Sequence, residues 1–316
     1  MNVCGNDDSE FLAKVEKLKD IIPEKTYMFT KETVDELMSS LSVPSVEELC
    51  RLICFGFSLP STMSPISRFA AGAVAIGISG ALYIGFNIEF RGLPLNETVH
   101  AEQCAIANAL MHKESYLTSI ITCPTPCGHC RQFMRECRGA LDLQIISVSK
   151  PEGKLILNRP LKEILPYSFG PEDLEISESL FDRNSVKFSL LDRILPDTEV
   201  FNRAISVAME YFSLCYSPHS KSWSCVVTIW SKGEGEPLIC SPGVYMENAA
   251  YNPSLSPLHC SLISLVRRKG SLSDIKSVIV FEGKDRNIKH FPKTKYIISE
   301  IAPQSTLYQQ YIDICE

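Results

Sequence analysis

Hydrophobic residues recur with two different periods along this chain, and the changes of period divide it into helices and strands. Segments 11–22 and 31–41 carry apolar residues at helical spacing, and Thr30 precedes the second segment as a favoured N-cap residue. Pro23 ends the first segment. These patterns predict a small helical segment over residues 1–47 before the main fold begins.

An uncharged run at residues 69–88 could be mistaken for a membrane span. Four glycines interrupt it, and Ser79-Gly80 falls between two β-rich stretches, an arrangement typical of a hairpin turn. Two buried strands between Ala70 and Phe90 explain the apolar character better than one helix of about 20 residues. The run therefore predicts a β-hairpin, and no membrane partner is expected.

Helix and strand patterns alternate after the hairpin. Four further elements are predicted, namely a helix over 99–114, a strand over 118–123, a helix over 127–138 and a strand over 143–149. The resulting order is β-β-α-β-α-β, which predicts an α/β fold with three α/β/α layers.

The second half of the chain repeats the first. Three pairs of segments align, namely 64–77 with 217–230, 85–90 with 243–248 and 99–105 with 255–261, at offsets of 153, 158 and 156. Such self-similarity predicts a duplicated fold. The predicted domains are a helical segment over 1–47, a first copy over 48–150, a proline-interrupted connector over 151–198 and a second copy over 199–316.

Composition narrows the class of protein. The chain has 316 residues, 45% hydrophobic and 22% charged, which suits two globular domains. Its formal net charge of −6 argues against a dedicated nucleic-acid binder, which usually carries a basic surface. Thirteen irregularly spaced cysteines and an N-terminus without a visible secretory signal favour reduced thiols and a cytoplasmic location.

The candidate chemistry lies in His-Ala-Glu at His100–Glu102 and Pro-Cys-Gly-His-Cys ending at Cys130. His100, Cys127 and Cys130 supply three ligands for one tetrahedral Zn²⁺ per chain, and a catalytic zinc site uses three protein ligands plus water. Zinc lowers the pKa of that water to about 7, and Glu102 beside the ligand is free to shuttle protons. The pattern H-x-E…P-C-x-x-C is the known signature of zinc nucleobase deaminases.

Other readings of these residues stay open. A lone C-x-x-C is often a redox pair or half of a structural zinc knuckle. Cys104, one helical turn after His100, could replace a ligand or pack as a buried apolar residue. His129 is expected to point away from the metal. Arg131 could donate to a zinc thiolate or lie solvated at the surface.

Both halves of the motif are predicted to open a helix, so two helix N-termini would converge and stabilise thiolates. The second copy has lost this site, because Ser256 stands where His100 stands and Leu258 where Glu102 stands. No Pro-Cys-x-x-Cys follows there. His259 and His290 are therefore expected to be structural or surface residues.

The chain resembles the two-domain, homodimeric cytidine deaminases of bacteria and plants over roughly residues 20–316. HAEQ, PCGHCRQF, FGPEDL and YMENAAYNP occur in the family's order, with FNIEF upstream of the first. The resemblance implies hydrolytic deamination of cytidine and deoxycytidine to uridine and deoxyuridine in pyrimidine salvage. A zinc-bound hydroxide would attack C4, with Glu102 as the proton shuttle, and ammonia would leave.

The resemblance also implies roles in substrate binding. Asn87 and Glu89 would hold the ribose hydroxyl, Phe69 would stack on the pyrimidine, and Phe169 would lie near the base. Asn87 as a strand-end turn residue and Phe69 as plain core are the competing interpretations. The segment expected to approach the partner subunit's active site comprises Glu247, Asn248, Ala249, Ala250 and Tyr251.

Two alternative functions remain at this point. One is a weakly active or inactive paralogue that acts as a dimer partner, which a departure from the family at Ala71 leaves open. The other is a polynucleotide deaminase, which the net charge of −6 disfavours. Retention of every chemical residue in the first copy, against their loss in the second, favours an active enzyme on nucleosides.

Overall fold

The two halves of the repeat fold into two separate units. The computed structural model describes residues 6–23, 26–150 and 153–315. The first unit comprises the residues up to Glu89 together with Asn96–Ser168, and the second comprises Phe90–Leu95 and the chain from Phe169 onward.

The first unit is a six-stranded sheet with helices. Its helices are α1 (Asn6–Ile21), α2 (Lys31–Leu41), α3 (Val46–Ile53), α4 (Ala101–Met111), α5 (Gly128–Met134) and α6 (Leu161–Ile164). Its strands are β1 (Met28–Phe29), β2 (Gly72–Gly77), β3 (Leu82–Phe86), β4 (Leu117–Cys123), β5 (Gln144–Val148) and β6 (Leu155–Pro160). The strand order is β1-β3-β2-β4-β5-β6, in which β4 and β5 run parallel and the other neighbours antiparallel.

The predicted hairpin is confirmed, since β2 pairs antiparallel with β3 and Gly80 adopts a φ of 82° in the turn. The predicted cap of α2 is also present, because the Thr30 hydroxyl accepts a hydrogen bond from the Thr33 amide. Within the described residues, no helix is both long enough and apolar enough to cross a membrane.

Two features of this unit differ from the predictions. Helix α5 ends at Met134 and not at residue 138, because the next three amides bond the carbonyls three residues back, which tightens the chain into turns. Strand β6 lies inside the predicted connector and pairs with β5 at the sheet edge, where most of its side chains are exposed. An exposed edge strand lacks the alternation that reveals a half-buried strand.

Helices cover both faces of the central strands. Gly85 is the register partner of Ala73, so these two project to one face while Gly72 projects to the other. A Cβ on Gly85 would lie 2.1 Å from the carbonyl oxygen of Ala101 in α4. A Cβ on Gly72 would lie 2.5 Å from Oγ of Ser58, in the helical turn after α3. Helix α4 and that turn therefore pack on opposite faces and make three layers.

The second unit repeats this arrangement. Its helices are α7 (Glu199–Tyr211), α8 (Pro257–Arg267) and α9 (Phe291–Ile301). Its strands are β7 (Lys187–Leu190), β8 (Ser224–Trp230), β9 (Ile239–Val244), β10 (Ile275–Gly283) and β11 (Thr306–Cys315). The order β9-β8-β10-β11 matches β3-β2-β4-β5, and β10 and β11 are again the parallel pair.

Isolated bridges reproduce the three sequence offsets. In the first unit, Ile88 bridges Met63 in parallel and Val99 in antiparallel fashion. In the second unit, Met246 makes the same two bridges with Tyr216 and Leu255. The corresponding residues are 153, 158 and 156 positions apart, which are the offsets read from the sequence. The predicted duplication is therefore present in the backbone pairing.

Candidate active site

The predicted metal ligands meet where two helices begin. His100 is the N-cap residue of α4, Cys127 is the N-cap residue of α5, and Cys130 lies one turn further along α5. A helix N-terminus carries partial positive charge, which favours a thiolate over a thiol. Gln103 helps to start α4, because its side-chain oxygen accepts a hydrogen bond from the His100 amide at 3.2 Å.

The three donor atoms are spaced as a tetrahedral zinc ion requires. Nδ1 of His100 lies 3.5 Å from Sγ of Cys127 and 3.3 Å from Sγ of Cys130, and the two sulfur atoms are 3.6 Å apart. Zinc bonds of about 2.3 Å to sulfur and about 2.0 Å to nitrogen, at tetrahedral angles, would give about 3.5 Å for each nitrogen–sulfur separation and about 3.8 Å for the sulfur pair. The donor set and its spacing therefore fit zinc.

The three side chains of this cluster differ in how readily each one loses its proton. The hydrogen bond with Cys130 lowers the pKa of Cys127 to about 3, and the hydrogen bond with the His100 ring adds to this effect. Burial raises the pKa of Cys130 well above its usual range. The hydrogen bond with Cys127 raises the pKa of His100. The cluster thus holds one thiolate readily and gives up the second proton only to a strong competitor such as a metal ion.

Glu102 lies beside the triad in the first turn of α4 and is buried. Its Oε2 accepts a hydrogen bond from the Cys130 thiol at 3.2 Å. Burial raises the pKa of this carboxyl group, so the protonated form is more accessible than in water. A carboxyl group with this property can both accept and return a proton.

The structure shows where two residues beside the predicted ligands lie. Cys104 is buried in α4 and does not belong to the cluster of potential ligands formed, among the described residues, by His100, Cys127 and Cys130. The ring of His129 stacks on the ring of His100, with centroids 5.0 Å apart.

Arg131 takes neither of its two expected positions. Its Nε donates to the carbonyl oxygen of Pro126 at 3.0 Å, and its Nη1 donates to that of Ile164 at 2.9 Å. The guanidinium group therefore ties the start of α5 to the end of α6, a contact between segments that their separation in sequence concealed.

The residues predicted to bind substrate surround one loop. Asn87 accepts a hydrogen bond from the Ala71 amide and donates one to the Phe69 carbonyl, each at 2.9 Å. Oε2 of Glu89 accepts hydrogen bonds from the amides of Ile66 and Ser67 at 2.9 and 3.0 Å. The two side chains thereby hold the loop that carries Phe69.

Phe69 itself is 56% exposed, which does not fit a core residue. The Nζ of Lys150 lies 5.1 Å from the centroid of its ring. Phe169, the other predicted aromatic contact, belongs to the second unit and is exposed.

The predicted partner-subunit segment also lies in the second unit. Glu247 is buried, and its Oε2 accepts hydrogen bonds from the amides of His219 and Ser220 at 2.8 and 3.1 Å. These contacts reproduce those of Glu89 at the equivalent positions of the repeat. Asn248 and Ala249 are also buried, Ala250 is partly exposed, and Tyr251 is 67% exposed with a φ of 60°.

The roles of two residues at this site, Gln103 and Glu89, were not evident from the sequence. Gln103 forms half of a capping box with His100, and its position three residues after the N-cap is the signal that could have revealed it. The loop-holding role of Glu89 could have been inferred from the repeat, because Glu247 is retained where the metal ligands are not.

Two sequence models of known families match this chain. Both are described as the cytidine and deoxycytidylate deaminase zinc-binding region, and they match residues 57–143 and 161–295. The cytidine deaminase of Photorhabdus laumondii is 33% identical over 298 residues, which cover 94% of this chain and 89% of that protein. The chain belongs to the cytidine and deoxycytidylate deaminase family.

The chain is also similar to two further cytidine deaminases. The cytidine deaminase of Haemophilus ducreyi is 33% identical over 314 residues, covering 94% of this chain and 96% of that protein. A crystal structure of the cytidine deaminase from Mycobacterium tuberculosis is 27% identical and covers 39% of this chain and 97% of that one, with a TM-score of 0.33.

Membership of the deaminase family confirms three predictions, namely the resemblance, the duplicated α/β fold class and zinc as the metal. The second match covers most of a unit in which Ser256 and Leu258 replace the histidine and glutamate. Among its described residues, that unit contains no cluster of three potential metal ligands.

Proposed function

We propose that this deaminase hydrolyses cytidine and deoxycytidine to uridine and deoxyuridine with release of ammonia. The observation that carries the proposal is the triad of His100, Cys127 and Cys130, spaced for tetrahedral zinc, with the Glu102 carboxyl group 3.2 Å from one sulfur. Three protein ligands characterise a catalytic zinc site, whereas structural sites use four. The cytidine deaminases to which the chain is similar support the choice of substrate.

Two parts of the first unit carry out the chemistry, namely the zinc-binding triad and Glu102. Zinc held by the triad would lower the pKa of a bound water to about 7 and so supply a nucleophile at neutral pH. Glu102 would take a proton from the attacking water and deliver it to N3 of the cytosine ring. Glu102 would then transfer the remaining hydroxyl proton to the departing amino group, so that ammonia leaves and the C4 carbonyl forms.

Substrate positioning falls to the loop over residues 66–71. We assign the ribose hydroxyl to Asn87 and Glu89 and the face of the pyrimidine to Phe69. The exposure of Phe69 supports a role in contacting ligand, and the hydrogen bonds of Asn87 and Glu89 to the loop couple the sugar site to the position of that ring. Phe169 is assigned to the base with the support of the family resemblance alone.

Ammonia release from cytidine by the zinc-loaded protein tests the proposal, and two variants separate the roles. Glu102→Ala should keep its zinc and lose at least about 10²–10⁴-fold in turnover, the usual loss when acid–base catalysis is removed. Cys127→Ser should lose both zinc and turnover. Near-normal turnover by Glu102→Ala would refute its role. A zinc-loaded wild-type protein that released no ammonia would support the inactive paralogue.

A homodimer in which Glu247, Asn248, Ala249, Ala250 and Tyr251 reach the partner's site is the second part of the proposal. The exposed side chain of Tyr251 makes it the member able to contact another chain. Tyr251→Ala should lower turnover, and mixing that variant with Glu102→Ala should restore part of it, because a mixed dimer contains one intact site. No restoration in a mixed dimer confirmed by light scattering would contradict this role. A cytoplasmic location stays a prediction.

A further inference from the structure

Besides the two carboxylate and amide side chains already described, a lysine holds the loop over residues 66–71. The Nζ of Lys150 donates a hydrogen bond to the carbonyl oxygen of Ala70 and lies 5.1 Å from the centroid of the Phe69 ring. Asn87 bonds the backbone on either side of Ala70. The amide and the ammonium group together therefore hold three consecutive residues of the loop.

Lys150 reaches this loop because of where the strands of the first unit end. Strands β4 and β5 run parallel, with Thr122 beside Ser147, so both end at the same edge of the sheet. Strand β2 runs antiparallel to β4 and begins at that edge, with Gly72 beside Cys123. The loop before β2, the cysteine motif after β4 and Lys150 after β5 therefore meet at one edge. The carboxyl ends of strands are where open α/β sheets bind their ligands.

The ring of Phe69 depends on such contacts for its position. The residue is 56% exposed, so the protein core does not fix the ring. An ammonium group over the face of an aromatic ring is attracted by the electrons of that face. The hydrogen bond of Lys150 to the next residue also holds the backbone from which the ring projects. A side chain that is ordered before a ligand arrives loses less entropy on binding.

The charge of Lys150 acts on two thiols that lie on the face of the sheet opposite to α4. A Cβ on Gly72 would lie 3.1 Å from Sγ of Cys54, and Cys123 projects to the same face as its register partner Gly72. Burial raises the pKa of Cys123 to about 11, and the positive charge of Lys150 opposes this rise, as it does for Cys54. Glu102 belongs to α4, on the other face.

We propose that Lys150 is a positioning residue for the nucleoside, which holds the Phe69 ring from the side away from Glu102 so that the pyrimidine stacks on the opposite face. This inference rests on the proposed assignment of Phe69 to the pyrimidine. The described contacts of Lys150 are with the loop and not with the triad or Glu102. Lys150 should therefore affect how tightly cytidine binds and not how fast bound cytidine reacts.

Calorimetric titration with cytidine tests this role without turnover. The zinc-loaded full chain carrying Glu102→Ala serves as the parent protein. Addition of Lys150→Met, which keeps an unbranched stem and removes the ammonium group, should weaken the affinity for cytidine about tenfold, as expected for the loss of a hydrogen bond and a cation–π contact. Lys150→Arg should restore most of the affinity, because a guanidinium group can make both contacts.

Kinetics in the chain with Glu102 intact provide a second measurement. Lys150→Met should raise the KM for cytidine about as much as it weakens binding and should leave kcat nearly unchanged. A change that raises KM alone identifies a loss of binding shared by the ground state and the transition state. A merely structural defect would lower the active fraction, and with it kcat, and would leave KM in place.

Lys289→Met is the matched control. The Nζ of Lys289 lies 5.7 Å from the centroid of the Tyr311 ring and donates to the carbonyl oxygens of Gly283 and Lys284, so the same two kinds of contact are removed in the second unit. The affinity for cytidine should not change in this variant. An equal loss of affinity in Lys289→Met would overturn the proposal.

The outcomes separate this inference from the proposed deamination. Unchanged affinity in Lys150→Met, with ammonia released by the wild type, would refute the positioning role alone. Weaker binding in Lys150→Met, with no ammonia released by the wild type, would refute deamination and support the positioning role. Tighter binding in Lys150→Met would show that the ammonium group occupies the face on which the pyrimidine stacks, and would overturn the proposal. Absence of any cytidine binding by the Glu102→Ala parent would overturn it as well.

Discussion

Helices α4 and α8 occupy the same place in the two copies, yet they use their first residues differently. Ser256 caps α8 in the usual way, since its hydroxyl accepts a hydrogen bond from the His259 amide at 3.2 Å. The equivalent residue of α4 is His100, whose ring faces Cys127 and Cys130. The same backbone position therefore caps a helix in one copy and carries a residue of the predicted metal triad in the other.

The contact between each of these helices and the strand beneath it is the same in both copies. A Cβ on Gly85 would lie 2.1 Å from the Ala101 carbonyl oxygen, and a Cβ on Gly243 would lie 2.0 Å from the Ser261 amide nitrogen. Both glycines let a strand approach its helix at backbone distance. The comparison indicates that the fold depends on this close approach, whereas the metal ligands are an addition to it.

Replacing His100 by Ser gives the first copy the residue of the second and should have the largest effect. Helix α4 should still begin there, because Ser is a favoured N-cap residue. Zinc should be lost with one of three ligands, and turnover should fall by at least about 100-fold, since removing even an outer partner of a ligand costs 10–100-fold. Metal analysis and circular dichroism measure the two effects.

Cys104→Ala is the control for that variant, because Cys104 lies in the same helix outside the ligand cluster. It should retain zinc. Full zinc occupancy in His100→Ser would show that another residue replaces the histidine.

Gly85→Ala and Gly243→Ala test whether the shared packing matters equally in both copies. Each added methyl group would meet backbone atoms that cannot move independently, so each variant should lose about 3 kcal/mol or more of unfolding free energy. Gly128→Ala is the control, since nothing lies within 4 Å of the added Cβ. Urea unfolding measures all three. A small cost at only one of the two positions would mean that the copies pack differently.

His290 predicts a pH dependence confined to the second unit. Burial, with Lys293 nearby, lowers the pKa of His290 to about 4 from an ordinary value of 6.5, and its ring packs on Tyr245. The unfolded chain therefore binds a proton below pH 6.5 that the folded chain refuses until about pH 4. Stability should be unaffected above pH 7 and fall by about 3 kcal/mol as the pH drops from 7 to 4.

His290→Phe removes the titrating group while keeping an aromatic ring beside Tyr245. The difference between the two proteins in urea unfolding at pH 7 and at pH 4 isolates this residue, because the remaining groups titrate in both. An equal loss of stability in the two proteins would contradict the prediction.

Ser256→Ala should have the smallest effect, about 1 kcal/mol of unfolding free energy, which is typical of a lost N-cap. Zinc content should not change, since the second copy contributes no ligand to the triad. Ser256→Asn should recover most of the loss because Asn is an equally good cap. If Ser256→Ala left the free energy of unfolding unchanged, the Ser256 hydroxyl would not stabilise α8, and this difference between α8 and α4 would have no energetic effect.

The sequence predicted best those features that depend on residues close together along the chain. The spacing of His100, Cys127 and Cys130 predicted three ligands whose donor atoms the structure brings together, because each half of the motif lies within one helical turn. The hairpin followed from glycines and alternation, and the duplication from offsets that the backbone bridges reproduce.

The remaining features depend on contacts between distant parts of the chain. Arg131 bonds a carbonyl group 33 residues away, and Glu89 bonds amides 22 and 23 residues away. Strand β6 is held by its neighbour and not by a pattern of its own. Periodicity cannot report such pairings, because it describes only which face of an element is apolar.

The paired hydrogen bonds of Glu89 and Glu247 bear on how related genes should be classified. The same carboxylate holds the same loop in a copy with its ligands and in a copy without them. A census that counted this glutamate as a mark of activity would score this chain as two enzymes. The histidine and cysteine triad is the feature that distinguishes the first copy from the second.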